Sequence, residues 1–272
     1  MSQSEKLFAI REVSELTGVK PVTLRAWQRR YGLISPARTD KGHRLYTQIN
    51  IDTILEVKRW LNQGVSIGKV KPLLGTQPSG ETLGSGSKVL QDVELVLSSL
   101  ALLNKGKAES IVSNVLKEYP ADMVVEQFIH PTFEALELLK GSVKSLQRGL
   151  FQSLVITRIS AILEAENKAA TKGKMLFVSL APVGDVSAWS RILVLSEKGF
   201  DITVLENVDD FSGLVNEIDL SKFVELQLHS HKALLDRQLT WAQMLVEDDS
   251  LQFGLSPIIQ ILHQDDLSEA AT

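Results

Sequence analysis

The spacing of apolar residues over the first 74 positions predicts short helices that are joined by tight turns. The predicted helices cover residues 10–16, 21–31, 51–62 and 66–74. Between the second and third of them, residues 32–46 are rich in Gly, Pro and basic residues and end in alternating positions, which predicts a two-stranded wing. The order of elements is therefore helix-turn-helix, wing, helix and helix.

The pattern changes twice in the rest of the chain. Residues 75–88 have a single large apolar residue among Gly, Ser and Pro, which predicts a flexible linker with a root-mean-square reach of about 20 Å. Residues 89–170 keep helical spacing and predict a bundle of four or five helices. Residues 171–272 alternate short apolar runs with helical stretches, which predicts a parallel sheet. The predicted strands cover 175–181, 202–205, 223–228 and 258–262.

The fold class that these patterns predict is multidomain. A mainly α, winged helix-turn-helix domain over residues 1–74 is followed by the linker, the helical bundle and a small Rossmann-like α/β domain. The sequence has no cysteine, which excludes disulfides, thiolate metal sites and cysteine nucleophiles. No stretch approaches the ~20 apolar residues of a membrane span. We therefore expect a cytoplasmic protein without a membrane partner.

Charge is divided unevenly along the chain. Residues 1–74 contain 13 Lys and Arg against 6 Asp and Glu, a net charge of +7, whereas the remainder has 16 against 27, a net charge of −11. Such asymmetry indicates a polyanionic partner for the first part and a different role for the second.

The predicted helix 21–31 has two distinct faces. Leu24, Trp27 and Tyr31 fall on one face, while Arg25 and Arg29 are four residues apart on another. Paired arginines on a helix that follows a small turn suit the DNA major groove, where Arg bonds guanine or phosphate. The candidate DNA-binding residues of this helix and of the wing are Lys20, Thr23, Arg25, Arg29, Arg30, Arg38, Lys41, His43, Arg44 and Tyr46. For any one of these charges, a merely solvated position is the alternative.

The string TLRAWQRRYGL and the wing sequence GHRLY resemble the winged DNA-binding domain of MerR-family regulators over about residues 8–74. They look closest to the subgroup that contains CarH-type cobalamin photoreceptor repressors and MlrA-like biofilm and curli activators. The resemblance implies a homodimer on an inverted repeat in promoter DNA, with the wing at the minor groove and Lys58 at a phosphate. It adds RNA polymerase as a further candidate partner.

Residues 89–264 resemble, at lower specificity, the cobalamin-binding sensor of CarH-type proteins. That family has an acidic residue, His and Gly after its first strand, and these positions fall on Asp185, Ser187 and Ser190 here. A serine hydroxyl is a poor ligand for a transition metal. A later Gly pair, which makes room for the nucleotide tail, falls on residues 263–264, His-Gln. We therefore predict no cofactor and a degenerate domain that serves as a scaffold for self-association or protein contact.

The predicted function is a sequence-specific DNA-binding transcriptional regulator, independent of cobalamin and of the activator type, with biofilm or curli matrix genes as candidate targets. One alternative is a cobalamin- or light-responsive repressor of the CarH type. Another is a sensor of a different small molecule, bound near residues 181–187 and 229–231, where strands end. A third is an interaction protein whose basic N-terminal part binds RNA or an acidic protein. No catalytic constellation is readable, so an enzyme is not expected.

Overall fold

The computed structural model describes residues 6–76, 89–247 and 251–268. The chain divides into two compact units, Met1–Leu154 and Val155–Thr272. Apart from Gly75 and Thr76, the predicted linker lies outside the described residues, and the predicted domain boundaries stay a prediction. Within the described ranges, no helix is long and apolar enough to cross a membrane.

The first part of unit one is the predicted winged helix-turn-helix. Its regular elements are β1 (Phe8–Ala9), α1 (Ile10–Thr17), α2 (Pro21–Ala26), β2 (Ala37–Arg38), β3 (Arg44–Tyr46), α3 (Gln48–Asn62) and α4 (Ile67–Val70). Helix α2 runs on into a π-helical turn, Trp27–Tyr31, and we call the two together helix 21–31. A 3-10 turn, Lys71–Leu73, follows α4.

Local sequence explains where these helices begin and end. Gly18 ends α1 at a φ of 66°, a left-handed conformation that favours glycine, and Pro21 then occupies the first position of α2. Thr47 caps α3 by accepting a hydrogen bond from the Asn50 amide at 3.4 Å.

The wing is a three-stranded antiparallel sheet in the order β1-β3-β2. The two strands that the sequence predicts are present, and the third, β1, is too short to leave an alternating pattern. It pairs Phe8 with Tyr46 and so joins the start of the domain to the wing.

The second part of unit one is a bundle of four helices, as predicted, and its last helix continues beyond Leu154. Its elements are α5 (Asp92–Ala101), α6 (Lys105–Glu118), α7 (Ala121–Val124), α8 (His130–Glu137) and α9 (Ser142–Ala169). A π-helical turn, Val125–Ile129, joins α7 and α8 into one helix. Phe151 holds the centre, with its ring centroid 5.9 Å from that of Phe128 and 4.9 Å from that of Phe133.

Unit two contains the predicted parallel sheet, with strand order β5-β4-β6-β7. After the end of α9 its elements are β4 (Lys174–Ser179), α10 (Val186–Ser196), β5 (Asp201–Leu205), α11 (Gly213–Asn216), β6 (Glu225–His229), α12 (Asp236–Val246), β7 (Gln252–Leu255), α13 (Pro257–Leu262) and α14 (Gln264–Ser268).

The prediction of a strand over residues 258–262 is wrong, because this run is helix α13 and the fourth strand is β7. A short apolar run does not by itself distinguish a strand from a helix. Pro257 has no N–H for a sheet and is suited to the first helical position, which it occupies. Residues 263–264 therefore follow a helix, and their placement as the counterpart of the Gly pair is wrong as well.

Strand β6 is buried on both faces, and the two faces differ in chemistry. Leu226 and Leu228 lie in a core that also contains Phe211 and Leu245. The alternate residues Glu225, Gln227 and His229 are polar and buried on the opposite face.

A hydrogen-bonded network covers part of that polar face. Nη2 of Arg191 donates to Oε1 of Gln227 at 2.7 Å and to the Leu255 carbonyl at 3.1 Å. Nε2 of Gln227 donates in turn to Oε1 of Glu225 at 2.5 Å, and Nζ of Lys198 lies 3.6 Å from the same oxygen. The chain's own side chains therefore fill the space beside β6.

We expect Gly254→Ala to lower the free energy of unfolding by about 1–3 kcal/mol, because the new methyl group would overlap the buried side chain of Gln227 and force it to move. A Cβ at Gly254 would lie 1.9 Å from Nε2 of Gln227. Gly213→Ala is the control, since apart from its chain neighbours and its own helix backbone no atom of the described residues lies within 4 Å of the new methyl group. Denaturant unfolding with Gln227→Ala added tests the cause: the cost of Gly254→Ala should shrink in that background, and a fully additive cost would contradict the proposed overlap.

Candidate nucleic-acid interface

Helix 21–31 buries one face and exposes another. Leu24 and Trp27 are fully buried, whereas the side chains of Arg25 and Arg29 are exposed. Nε of Arg29 donates to the Arg25 carbonyl at 3.4 Å, so the two arginines follow one another along the same face. This arrangement presents two guanidinium groups, each with several N–H donors, to a partner outside the protein.

The wing adds further cations beside this helix. The turn between β2 and β3 is closed by the Thr39 amide, which donates to the His43 carbonyl at 2.9 Å, and Gly42 has a φ of 80°. Lys41 and His43 are exposed at its tip.

Two arginines lie opposite each other in the wing, since Arg38 on β2 pairs with Arg44 on β3. Nε of Arg44 donates to Oε1 of Gln28 at 2.7 Å and thereby ties the wing to helix 21–31. Gln28 is not among the residues that the sequence predicts for this surface. Its position between Arg25 and Arg29 is the one signal in the sequence that could have indicated it.

A hollow of about 250 Å³ lies between helix 21–31, the wing and the start of α1. Its lining residues include Arg25, Gly42, His43 and Arg44. Part of the predicted helix cluster and part of the predicted wing cluster therefore meet at one concave surface. A concave basic surface beside an exposed helix is suited to a nucleic-acid backbone.

Two candidate residues are not on the surface, and we remove them from the contact set. Thr23 and Tyr46 are buried, and the Tyr46 hydroxyl has no hydrogen-bond partner among the described residues. Burial raises the pKa of Tyr46. Tyr46 lies on the inner face of β3, where the aromatic ring fills the core and does not reach a phosphate.

Three further candidates have partners within the chain. Nζ of Lys58 donates to the Thr17 carbonyl at 2.8 Å and so stabilises the end of α1. Arg30 forms an ion pair with Glu118 of α6. Lys20 is half-buried at the start of α2. The exposed cations of the proposed contact set are Arg25, Arg29, Arg38, Lys41 and His43, with Arg44 half-buried among them.

The three positions that correspond to the cobalamin motif have different environments in unit two. Asp185 caps α10, because its Oδ1 accepts from the Ala188 amide at 2.9 Å. Its pKa lies below the ordinary value, first through the imidazole of His229, whose Nε2 is 3.8 Å away, and also through that amide. Ser187 is exposed, and Ser190 is buried with no partner for its hydroxyl among the described residues.

These residues do not fit cobalamin. Ser187 offers a hydroxyl where the cofactor's metal needs an imidazole. The nearby imidazole of His229 is buried and stacks on Phe177, with ring centroids 5.9 Å apart. Arg191 and Gln227 fill the adjacent face of β6. Among the residues that the structure describes, no group of three or more His, Cys, Asp or Glu is arranged to hold a metal ion.

Comparisons with known proteins relate the chain to transcriptional regulators. Residues 8–77 match the family described as MerR HTH family regulatory protein. The HTH-type transcriptional regulator MlrA of Salmonella typhimurium is 34% identical over 200 residues, which are 73% of this chain and 79% of that protein. MlrA of Escherichia coli K12 is 33% identical over the same shares. The HTH-type transcriptional repressor CarH of Myxococcus xanthus is 27% identical over 177 residues, 60% of this chain and 58% of its own.

We expect the protein not to bind cobalamin at micromolar concentration, in the dark or in light, and equilibrium dialysis followed by absorption spectroscopy measures this. The variant Ser187→His separates the two causes. It restores an imidazole but leaves Arg191 and Gln227 in place, so we expect it to remain without cobalamin too. Micromolar binding by the unaltered protein would contradict the misfit, and binding by Ser187→His alone would assign the whole defect to the missing imidazole.

Proposed function

Because the chain belongs to the MerR family of helix-turn-helix transcriptional regulators, in its MlrA- and CarH-like branch, we propose that it binds promoter DNA through the exposed face of helix 21–31 and the wing. One observation carries the proposal: Arg25 and Arg29 are exposed on a helix whose other face is buried, and a hydrogen bond from Arg44 fixes the wing beside it.

In this proposal the two sets of cations have different tasks. Arg25 and Arg29 enter the major groove and bond base edges or phosphates. Arg38, Lys41, His43 and Arg44 approach the minor groove, whose negative potential attracts basic side chains. Two copies of the chain then bind an inverted repeat, because a twofold protein matches a twofold site.

The remaining parts of the proposal concern regulation. The relatives named MlrA are transcriptional regulators. The sequence resemblance to MlrA-like proteins favours an activator, with biofilm or curli matrix genes as targets and RNA polymerase as a partner. We propose a cytoplasmic regulator that is not an enzyme and that acts without cobalamin, since Ser187 and the filled face of β6 do not suit the cofactor.

A second candidate role for unit two is the sensing of another small molecule. It is favoured by His229, whose two buried ring nitrogens have no hydrogen-bond partner among the described residues, and by the buried Ser190 hydroxyl. Both residues belong to the carboxyl-end side of the sheet, where ligands of open α/β sheets bind. A repressor role is the corresponding alternative for the sign of regulation, because the relative CarH is named a repressor.

Selection of bound fragments from random duplex DNA by the full-length protein tests the DNA-binding proposal. We expect enrichment of one inverted repeat. We also expect Arg25→Ala and Arg29→Ala each to lose about 1–3 kcal/mol of binding free energy for that repeat, since each removes a groove contact.

Arg148→Ala serves as the control, because it removes the same charge from an exposed position on α9, where Nε lies 3.3 Å from Glu137. It should leave affinity for the repeat unchanged. Raising the salt concentration should weaken binding steeply through counterion release. If neither arginine of helix 21–31 mattered more than Arg148, the groove assignment would be wrong.

A further inference from the structure

The end of α6 packs against the buried face of helix 21–31, and three bonds converge there on Glu118. Nε1 of Trp27 donates to the Glu118 carbonyl at 2.7 Å. The Tyr31 hydroxyl donates to Oε2 of the carboxylate at 2.5 Å, and Nη1 of Arg30 bonds to Oε1. Every oxygen atom of Glu118 is therefore used by helix 21–31.

The surroundings of Glu118 make these contacts strong. Its side chain is 10% exposed, so water competes little for the carboxylate. Oδ1 of Asn114, one turn earlier on α6, accepts from both terminal nitrogens of Arg30 at 3.3 Å. Burial, followed by the hydrogen bond to Glu118, raises the pKa of Tyr31, so this hydroxyl keeps its proton at neutral pH.

A second connection joins the same two parts of unit one. The Tyr119 hydroxyl accepts from the Ile67 amide at 3.2 Å at the beginning of α4. Among the described residues the bundle thus bonds the winged domain under helix 21–31, under α4 and at the end of α3, where Nε2 of Gln127 donates to the Leu61 carbonyl at 3.5 Å. A movement of α6 within the bundle would be transmitted to helix 21–31 through these side chains.

We propose that Glu118 is a positioning residue for DNA recognition: it fixes the angle at which helix 21–31 presents Arg25 and Arg29, and it couples that angle to the bundle. The inference rests on the proposed groove contacts of these two arginines. Glu118 itself lies on the opposite face of the helix and does not contact DNA. Arg30 acts in this arrangement as the helix's anchor on α6.

The negative charge of Glu118 makes it possible to distinguish a positioning role from a direct electrostatic effect on DNA binding. Glu118→Gln removes a negative charge near a DNA-binding helix, and this change alone would strengthen attraction to phosphates. A loss of orientation acts in the other direction, but only on a sequence that the arginines read. Weaker binding to a specific site without weaker binding to other DNA is therefore expected only if Glu118 positions the helix.

The test measures the affinity of the full-length protein for two duplexes of equal length, the one that the unaltered protein enriches and a scrambled one. We expect Glu118→Gln to bind the enriched duplex about tenfold more weakly, within the range by which coupling residues act at a distance. Its affinity for the scrambled duplex should not fall. Tyr31→Phe removes one hydroxyl donor to Glu118 and should act in the same direction with a smaller effect.

Glu134→Gln is the matched control, because it makes the same change of charge at an exposed position on α8. It should leave both affinities within about twofold of the unaltered protein, as is usual for exposed sites. In a double variant with Arg30→Gln and Glu118→Gln, the loss of preference for the enriched over the scrambled duplex should be smaller than the sum of the two single losses, because the two residues share one ion pair.

Other outcomes would contradict either the positioning role of Glu118 or the groove contact on which it rests. Unchanged or tighter binding of Glu118→Gln to the enriched duplex, while Arg25→Ala still weakens it, overturns the positioning role. Equal losses on both duplexes also overturn it, since a general loss of folding explains them. If thermal unfolding shows that Glu118→Gln is not folded, Tyr31→Phe decides by the same comparison. If Arg25→Ala does not weaken binding to the enriched duplex, the proposed groove contact itself is wrong.

Discussion

The buried indole of Trp27 is the constraint on which the proposed DNA-binding surface depends. A buried N–H needs an acceptor, and here the acceptor is the Glu118 carbonyl at the end of α6. With Leu24 and Trp27 fixed inward, the geometry of a helix turns Arg25 and Arg29 outward. Apolar packing and one hydrogen bond therefore determine which way the exposed cations point. The number of basic residues alone would not place them on one surface.

Sequence reasoning recovered what depends on neighbouring residues. Helical spacing, Gly18 and Pro21 located the helix-turn-helix, and alternation located the wing. It could not find Glu118, because this residue contacts Arg30 across 88 positions of the chain and no local pattern marks a carboxylate at the end of α6. The burial of Tyr46 was missed for a similar reason: β1, the strand that pairs Phe8 with Tyr46, has two residues and leaves no periodic signal.

The α/β unit illustrates a different limit. The order of strands and helices followed from the alternation of short apolar runs with helical stretches. The run after Pro257 fitted either a strand or a helix, and Pro257 favoured the helix. Nor does a strand pattern predict that Glu225, Gln227 and His229 are all buried, since polar residues at alternate positions usually face water. Arg191 satisfies part of that face from α10, and such pairing across elements is invisible before the chain is folded.

The π-helical turn at Trp27–Tyr31 has a consequence for how this surface can change. A π-helical turn contains one residue more than an α-helical turn, and each residue of an α-helix advances the angular phase by about 100°. Deleting one residue here would return the turn to α-helical geometry, in which four residues cover nearly the angle that five cover in a π-helical turn, so Arg30 and Tyr31 would still face Glu118. These five positions can therefore lose one residue with little change in the direction of the flanking side chains, whereas the same deletion within α2 would rotate every residue after it by about 100°.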